Sequence, residues 1–199
     1  MKKISILLIL ISLIFNNLLA TTYSSDPKLF VKDLVSDALN KLSDKSLTDD
    51  ERASFVETVA LDNVDINALG FYTLGEIRKS ANENDLNKYK KVFEKYFLKS
   101  LTSRLTDYSS NKIEIISAEV KNSNYTIVKS RIVESANQPE IKIDWRIYTK
   151  NPEKPLIRDL IVEGLSLART QKEEFSSILS SNNNDINILI SKLEEFVNK

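Results

Sequence analysis

Beyond the N-terminal segment, apolar residues recur at intervals of three and four as far as the middle of the chain, which is the spacing of amphipathic helices. An Asp-Pro pair begins the first of these segments, over residues 26–42. Thr48 and Glu51 form a capping box that begins a second. Residues 63–80 are less regular, and we interpret them as two short helices that flank Gly70.

The longest predicted helix is capped by Asp85 and extends to about Tyr108. Its broad apolar face is rich in aromatic side chains and consists of Leu86, Tyr89, Phe93, Tyr96, Phe97, Leu101, Leu105 and Tyr108. A face of this kind most often packs in a protein core. Its aromatic content also suits contact with an apolar ligand, so both interpretations stay open.

After residue 111 the period changes to the alternation of a β-strand. Four strands are predicted, at residues 113–120, 125–133, 141–148 and 156–165. Turn-forming residues lie before and between them, at 109–111, 122–124, 135–139 and 151–153. The alternation slips by one residue at Ile115 and Ile116, which predicts a β-bulge. Short turns between consecutive strands indicate an antiparallel meander.

The last part of the chain returns to helix. We expect one helix at residues 171–180 and a final one that Asp185 caps, each with its apolar face inward. Helices, then strands, then helices is the order of an α+β domain. The predicted fold is therefore a four-stranded twisted antiparallel sheet packed with several helices.

The N-terminal segment, residues 1–20, has the three parts of a secretory signal peptide. Two lysines precede an apolar run over residues 4–15, and cleavage is expected near Ala20. Such a run is short for a membrane span, which needs about 20 residues, although an uncleaved N-terminal anchor stays the alternative. We therefore expect export to the periplasm and a single mature domain over residues 21–199.

Composition narrows the chemistry that the chain can perform. The sequence contains no cysteine and no histidine, which excludes disulfides, thiolate and imidazole catalysis, and zinc sites built from these residues. A lipoprotein anchor at the leader is excluded as well, because it is attached through cysteine. Basic and acidic residues both number 28, so no basic surplus favours nucleic acid or an anionic membrane as partner.

Common catalytic arrangements find no support in the sequence. Three glycines cannot build a P-loop or a dinucleotide-binding turn, and Ser166 has no histidine to act as its base. A Ser–Lys pair or a pair of carboxylates stays formally open, although no spacing marks one. The acids Asp49, Asp50 and Glu51 suit a helix N-terminus better than a metal site. We therefore expect no enzyme activity, metal or cofactor.

Residues 156–175 carry a recognisable motif. The form D-x-x-x-E-G-x-S followed by T/N-x-R/K-x-x-F is matched by Asp159, Glu163, Gly164, Ser166, Thr170, Lys172 and Phe175. Shorter matches occur in consistent order upstream, among them the Asp-Trp-Arg triplet at 144–146. With these features the sequence resembles the MlaC family of periplasmic phospholipid-binding proteins, also called toluene-tolerance or ABC-transporter auxiliary proteins. Lys172 and residues 76–77 and 182–184 depart from the usual pattern of that family.

The resemblance implies an NTF2-like, MlaC-like fold and a phospholipid as the bound ligand, without catalysis. It implies a carrier that shuttles phospholipid between an outer-membrane lipoprotein–porin complex and an inner-membrane ABC transporter with its lipid-binding substrate protein. That system maintains outer-membrane lipid asymmetry. We expect a monomer with no nucleic-acid partner. The alternative function is a periplasmic adaptor whose apolar groove binds a protein segment.

A carrier needs a deep apolar cavity, because each buried CH₂ group is worth about 0.8 kcal/mol. We expect this cavity between the sheet and the long helix. The candidate lipid-binding residues are Phe71, Leu74, Phe93, Phe97, Leu101, Arg104, Ile116, Ile132, Trp145, Ile147, Leu160, Val162 and Leu165. Each apolar member is equally a candidate for ordinary core. Arg146 and Arg158 join Arg104 as candidates for the cavity mouth, or for buried pairing with Asp144 or Asp159.

Overall fold

The computed structural model describes residues 23–105, 112–134 and 139–199. Its elements are α1 (Pro27–Ser43), α2 (Asp49–Asn63), α3 (Ile66–Leu74), a 3₁₀ helix (Gly75–Lys79), α4 (Glu83–Leu105), β1 (Ile113–Asn122), β2 (Tyr125–Ile132), β3 (Ile141–Tyr148), β4 (Leu156–Val162), β5 (Leu165–Ser166), α5 (Leu167–Ser180) and α6 (Ile186–Asn198). Four expected features lie outside the described residues, namely the leader, the helix end at Tyr108, the turn at 109–111 and residues 135–138 of the turn at 135–139.

Three predicted helix starts are confirmed. Asp26 accepts a hydrogen bond from the N–H of Leu29 at the start of α1, where Pro27 is the first helical residue. Thr48 and Glu51 exchange side-chain and backbone hydrogen bonds in a complete capping box. Asp185 caps α6. Local side-chain chemistry therefore determines where these helices begin.

The start of α4 was predicted wrongly. Asp85 does not cap this helix, which begins two residues earlier at Glu83. The side chain of Asn82 accepts a hydrogen bond from the N–H of Asp85 at 2.9 Å and so takes the capping role. Asn and Asp cap helices about equally well, so the sequence offers two starts that differ by less than one turn.

The predicted break at Gly70 is also wrong, because α3 runs through this residue and ends at Leu74. Gly75, with φ of +64°, turns the chain into the 3₁₀ helix. Gly70 instead allows α3 and α4 to approach closely, since a Cβ there would lie 2.9 Å from Cδ1 of Phe93. The carbonyl of Gly70 accepts a hydrogen bond from the hydroxyl of Tyr89, whose pKa burial raises.

The sheet is an antiparallel meander in the order β1-β2-β3-β4-β5, so the α+β class is confirmed and the count of four strands is wrong. The predicted fourth strand ends at Val162, because Glu163 and Gly164 adopt positive φ values of 49° and 82° and turn the chain back. Two further residues then pair with β4 as β5. Ser166 caps α5, which therefore begins four residues before the predicted position.

The predicted bulge in β1 is confirmed. The pairing of β1 with β2 shifts register between Ile115 and Ser117, which leaves Ile116 unpaired. Strand β1 lies at one edge of the sheet. The carbonyl of Ile116 accepts a hydrogen bond from Nζ of Lys28 at 3.4 Å, so a side chain of α1 contacts this edge.

The apolar residues form two clusters. One, which we call the sheet–α1 core, consists of Phe30, Val31, Leu34, Val35, Val128, Trp145, Ile147 and Ile157. The other, the helical core, joins α3, α4, α5 and α6 and consists of Ile66, Leu74, Tyr89, Val92, Phe93, Phe175, Leu179, Ile186, Leu189, Ile190 and Leu193. In the described part of the chain no helix has both the length and the hydropathy of a membrane span.

Candidate functional site

A cavity of about 770 Å³ lies on the face of the sheet that points away from α1. Its helix wall is apolar apart from Arg78 of the 3₁₀ helix, and consists of Ala68, Leu69, Tyr72, Arg78 and Ala168. Its sheet wall carries most of the charge, and consists of Lys121, Asn122, Tyr125, Ile127, Lys129, Asp144, Arg146, Arg158 and Ile161. The volume is within the usual range of ligand sites, about 300–1,000 Å³.

The strand register explains why charged and apolar residues share the sheet wall. Side chains alternate between faces along a strand, so Ile127 and Lys129 point to the cavity while Val128 points to α1. Cross-strand partners share a face, and Arg146 lies opposite Ile127. Asp144 lies opposite Lys129 in the same way. The cavity floor is therefore a mixed surface and not a simple apolar one.

Arg158 joins the sheet to the start of α3. Its guanidinium contacts Asp65 at 2.6 Å and donates to the hydroxyl of Tyr125 at 2.8 Å. It also lies 3.4 Å from the ring centroid of Tyr148, close enough for a cation–π contact. Burial opposes its charge, but the hydrogen bonds to Tyr125 and Asp65 outweigh this effect and raise the pKa of Arg158. Asp65 also caps α3 through the N–H of Ala68, so one carboxylate holds helix and sheet together.

Asp159, the first residue of the sequence motif, connects β4 to α5. Its Oδ2 accepts from the hydroxyl of Ser166 at 2.6 Å and its Oδ1 accepts from the N–H of Ala168 at 3.0 Å. Ser166 in turn accepts from the N–H of Arg169 and caps α5. Only 2% of the Asp159 side chain is exposed, and Arg146 approaches it at 3.6 Å. The motif therefore positions the end of the sheet relative to α5, which contributes Ala168 to the cavity lining.

The lysines of the sheet wall share one acid. Glu119 contacts Lys121 at 2.5 Å and Lys129 at 3.9 Å. The hydrogen bond from Lys121 and its charge lower the pKa of Glu119, with a smaller contribution from Lys129. The three side chains are about half exposed, so this group stays hydrated.

Five of the predicted lipid-binding residues point away from the cavity or pack on α1. Trp145, Ile147 and Leu160 belong to or pack against the sheet–α1 core, and Nε1 of Trp145 donates to Ser130 at 2.9 Å. Ile132 and Val162 share this face by the strand register. None of these side chains lines the cavity.

The other predicted residues fall into two groups. Leu74 and Phe93 belong to the helical core and Phe97 packs against it, while Phe71 lies under Nζ of Lys90 at 5.2 Å. The remaining ones are Leu101 and Arg104 near the end of α4, the bulged Ile116, and Leu165, which is 70% exposed. The thirteen residues are thus not brought together around this cavity, and α4 does not line it. Their contact with lipid stays a prediction.

The cavity residues that the sequence analysis missed carried a weak signal. Tyr125, Ile127 and Lys129 alternate along β2 and so share one face, but their mixed chemistry does not suggest a ligand site. Arg146 and Arg158 were considered for the cavity mouth or for pairing with aspartate. Both line the cavity, and they also pair with Asp159 and Asp65, respectively. Among the described residues no group of three acids forms a metal site.

Comparison with known proteins agrees with this architecture. The family model described as MlaC protein matches residues 32–195. A solved structure of a phospholipid-binding protein from Ralstonia solanacearum in complex with a phospholipid is similar, with a TM-score of 0.69 and 18% identity over 85% of this chain and 97% of that chain. At that identity the similarity shows the fold. No curated protein matches the chain. Because the family model spans most of the sequence, the protein belongs to the MlaC family.

Proposed function

We propose that this protein is a periplasmic phospholipid carrier that holds its ligand in the cavity between the sheet and α3. The observation that carries the proposal is a cavity with an apolar helix wall and a charged sheet wall, in a chain of the MlaC family. A phospholipid presents the same two chemistries, because its tails avoid water and its head group is polar. The phospholipid bound by the similar Ralstonia solanacearum protein supports this choice of ligand.

Leu69 indicates how the acyl chains reach apolar surroundings. Its side chain lines the cavity and also packs against the helical core. In our proposal the tails follow Ala68, Leu69 and Tyr72 along α3 toward that core. Phe71 and Leu74 of α3, with Phe93 and Phe97 of α4, stay candidates for contact with the tail ends, because they belong to or adjoin the same helical body.

The energetics of lipid transfer suit carriage between two membranes. Moving a lipid from a bilayer to a protein cavity replaces one apolar environment with another, so the net free energy is small compared with exposure to water. The direction of transfer is then set by partners, which we propose to be an outer-membrane lipoprotein–porin complex and an inner-membrane ABC transporter. The leader over residues 1–20 would direct the chain to the compartment between them, and the chain itself would catalyse no reaction.

Native mass spectrometry of the protein exported and purified from the periplasm tests the proposal. We expect a bound mass of one phospholipid, or its appearance after incubation with phospholipid vesicles. Ala68→Trp should remove most of the bound lipid, because the indole fills the helix wall of the cavity. Asn67→Trp is the matched control, since this neighbouring residue of α3 is exposed. A lipid-free mass after incubation with vesicles would overturn the proposal.

A further inference from the structure

The side chains that line the cavity, taken together with the acids that pair with them, have a small excess of positive charge. Five cations line the cavity, together with one acid, Asp144. Three further acids pair with these cations from outside the lining, namely Asp65, Glu119 and Asp159. Among the described residues the cations of this site therefore exceed its acids by one. That surplus equals the charge of one phosphodiester group, which carries a single negative charge at neutral pH.

Most of these cations are already engaged. Arg158 uses its guanidinium for Asp65 and Tyr125 and stacks on Tyr148. The two lysines of the wall share Glu119. Arg158 therefore has no full guanidinium edge free for a ligand, and the two lysines carry an ammonium group without a planar pair of donors. The two remaining cations of the lining are Arg78 and Arg146.

Arg146 keeps its donors available. The contact with Oδ2 of Asp159, at 3.6 Å, is longer than a hydrogen bond. The carboxylate oxygens of Asp159 already accept from Ser166 at 2.6 Å and from Ala168 at 3.0 Å, so the aspartate is satisfied without the arginine. The Arg146 side chain is 43% exposed and lines the sheet wall.

Arg78 approaches the cavity from the opposite wall. Its Nη1 donates to the carbonyl of Phe71 at 3.2 Å, which positions the guanidinium and leaves its other N–H groups. Within the described ranges no carboxylate lies within 4.0 Å of it. The nearby Glu76 pairs with Lys79 at 2.6 Å, and its pKa is lowered first by that lysine and then, at longer range, by Arg78.

We propose that Arg78 and Arg146 bind the phosphodiester group of the phospholipid from the two walls of the cavity. This inference rests on the proposed function and adds the group that the protein recognises. An arginine can donate two parallel hydrogen bonds to phosphate oxygens, which gives orientation as well as affinity. Asp144 in the same lining disfavours a phosphomonoester, which carries about −1.5 to −2 charges.

The test compares two lipids with identical acyl chains, one a phosphatidylglycerol and the other a diacylglycerol that lacks the phosphodiester. Each is offered in vesicles to the full chain, and bound lipid is counted by native mass spectrometry. The wild type should prefer the phospholipid. Arg78→Gln and Arg146→Gln should each lower phospholipid binding roughly tenfold, the effect of one lost charge-assisted contact. Binding of diacylglycerol should not change.

Two controls keep the result interpretable. Arg169→Gln removes the same charge from the exposed start of α5 and should leave both lipids unaffected, which controls for attraction to the vesicle surface. Arg146→Lys keeps the charge without the planar donor pair and should give an intermediate loss. Thermal unfolding of each variant checks that it is folded.

The outcomes separate the inference from the proposed function. A wild type that binds neither lipid overturns the proposed function. A wild type that binds both lipids equally, with no change in either arginine variant, overturns the inference alone. If millimolar inorganic phosphate raises the Tm through Arg146 while phospholipid binding is insensitive to both substitutions, the site takes free phosphate and the lipid assignment is wrong.

Discussion

The two faces of the sheet use neighbouring residues of the same strands for different purposes. Trp145 packs into the sheet–α1 core and is 8% exposed, while Arg146, the next residue of β3, lines the cavity. Along β2, Val128 likewise packs into the sheet–α1 core and Ile127 lines the cavity. One face is mainly apolar, with Ser130 as a buried polar member, and packs against α1, while the other is mixed and only partly covered by α3 and α5.

This contrast shows that the strongest apolar pattern of the strands marks the sheet–α1 core and not the lining of the cavity. Close packing against a helix leaves little volume beside Trp145 and Val128. The cavity forms where arginines and lysines alternate with isoleucine and tyrosine, since such side chains cannot close into a dry core. The predictions below test this division between the faces, beginning with the largest expected effect.

Truncation of Trp145 should have the largest effect. Trp145→Ala removes a large buried ring and the hydrogen bond to Ser130, and should lower the free energy of unfolding by about 3–5 kcal/mol. Urea denaturation followed by circular dichroism measures it. Lys142→Ala on the same strand, with an exposed side chain, should change it by no more than about 0.5 kcal/mol. Equal effects of the two substitutions would show that the α1 face is not the stabilising one.

Removal of the Asp159 carboxylate should have an intermediate effect on the free energy of unfolding. Asp159→Ala leaves the N–H of Ala168 and the hydroxyl of Ser166 without their buried acceptor, which should cost about 2–3 kcal/mol in denaturant unfolding. Asp159→Asn retains one acceptor and should lose less. If the alanine variant is as stable as the wild type, the junction of β4 and α5 does not depend on this residue.

Lowering the pH should have the smallest effect on stability, because it acts through the exposed ion pairs of β1 and β2. Hydrogen bonds from Lys112 and Arg131 lower the pKa of Glu114 below its ordinary value of 4.5. Because the folded-state pKa is the lower one, this contribution is complete above about pH 4.5 and is lost as the pH falls through the lowered value. The urea midpoint should therefore fall slightly on acidification, and less in Arg131→Gln. A rise on acidification would contradict this sign.

Much of the fold was predictable because its signals are local. The caps at Asp26, Thr48 and Asp185, the bulge at Ile116 and the meander each depend on a few neighbouring residues. The fifth strand was not predicted, since the left-handed turn at Glu163 uses a residue that rarely adopts positive φ. The role of Gly70 depends on a contact with Phe93, which no local pattern contains.

The site was less predictable than the fold. Apolar periodicity identifies which residues are buried but not which of two cores they join, so Phe93 and Trp145 were assigned to one cavity. Two of the three arginines considered for the mouth were closer, because Arg146 and Arg158 line the cavity and Arg104 does not. Arg78 carried no signal, since its position depends on where the 3₁₀ helix lies relative to the sheet.

The outer edge of β1 has a consequence for the behaviour of the protein at high concentration. A ten-residue strand that has no neighbouring strand on its outer side, among the described residues, is a template on which strands of other molecules can add. The bulge at Ile116 interrupts the regular spacing of these groups, and Lys28 already binds the carbonyl of that residue. The charged side chains of Glu119 and Lys121 further disfavour apolar stacking. The edge is therefore built against strand addition, which opposes amyloid-like aggregation of a crowded solution.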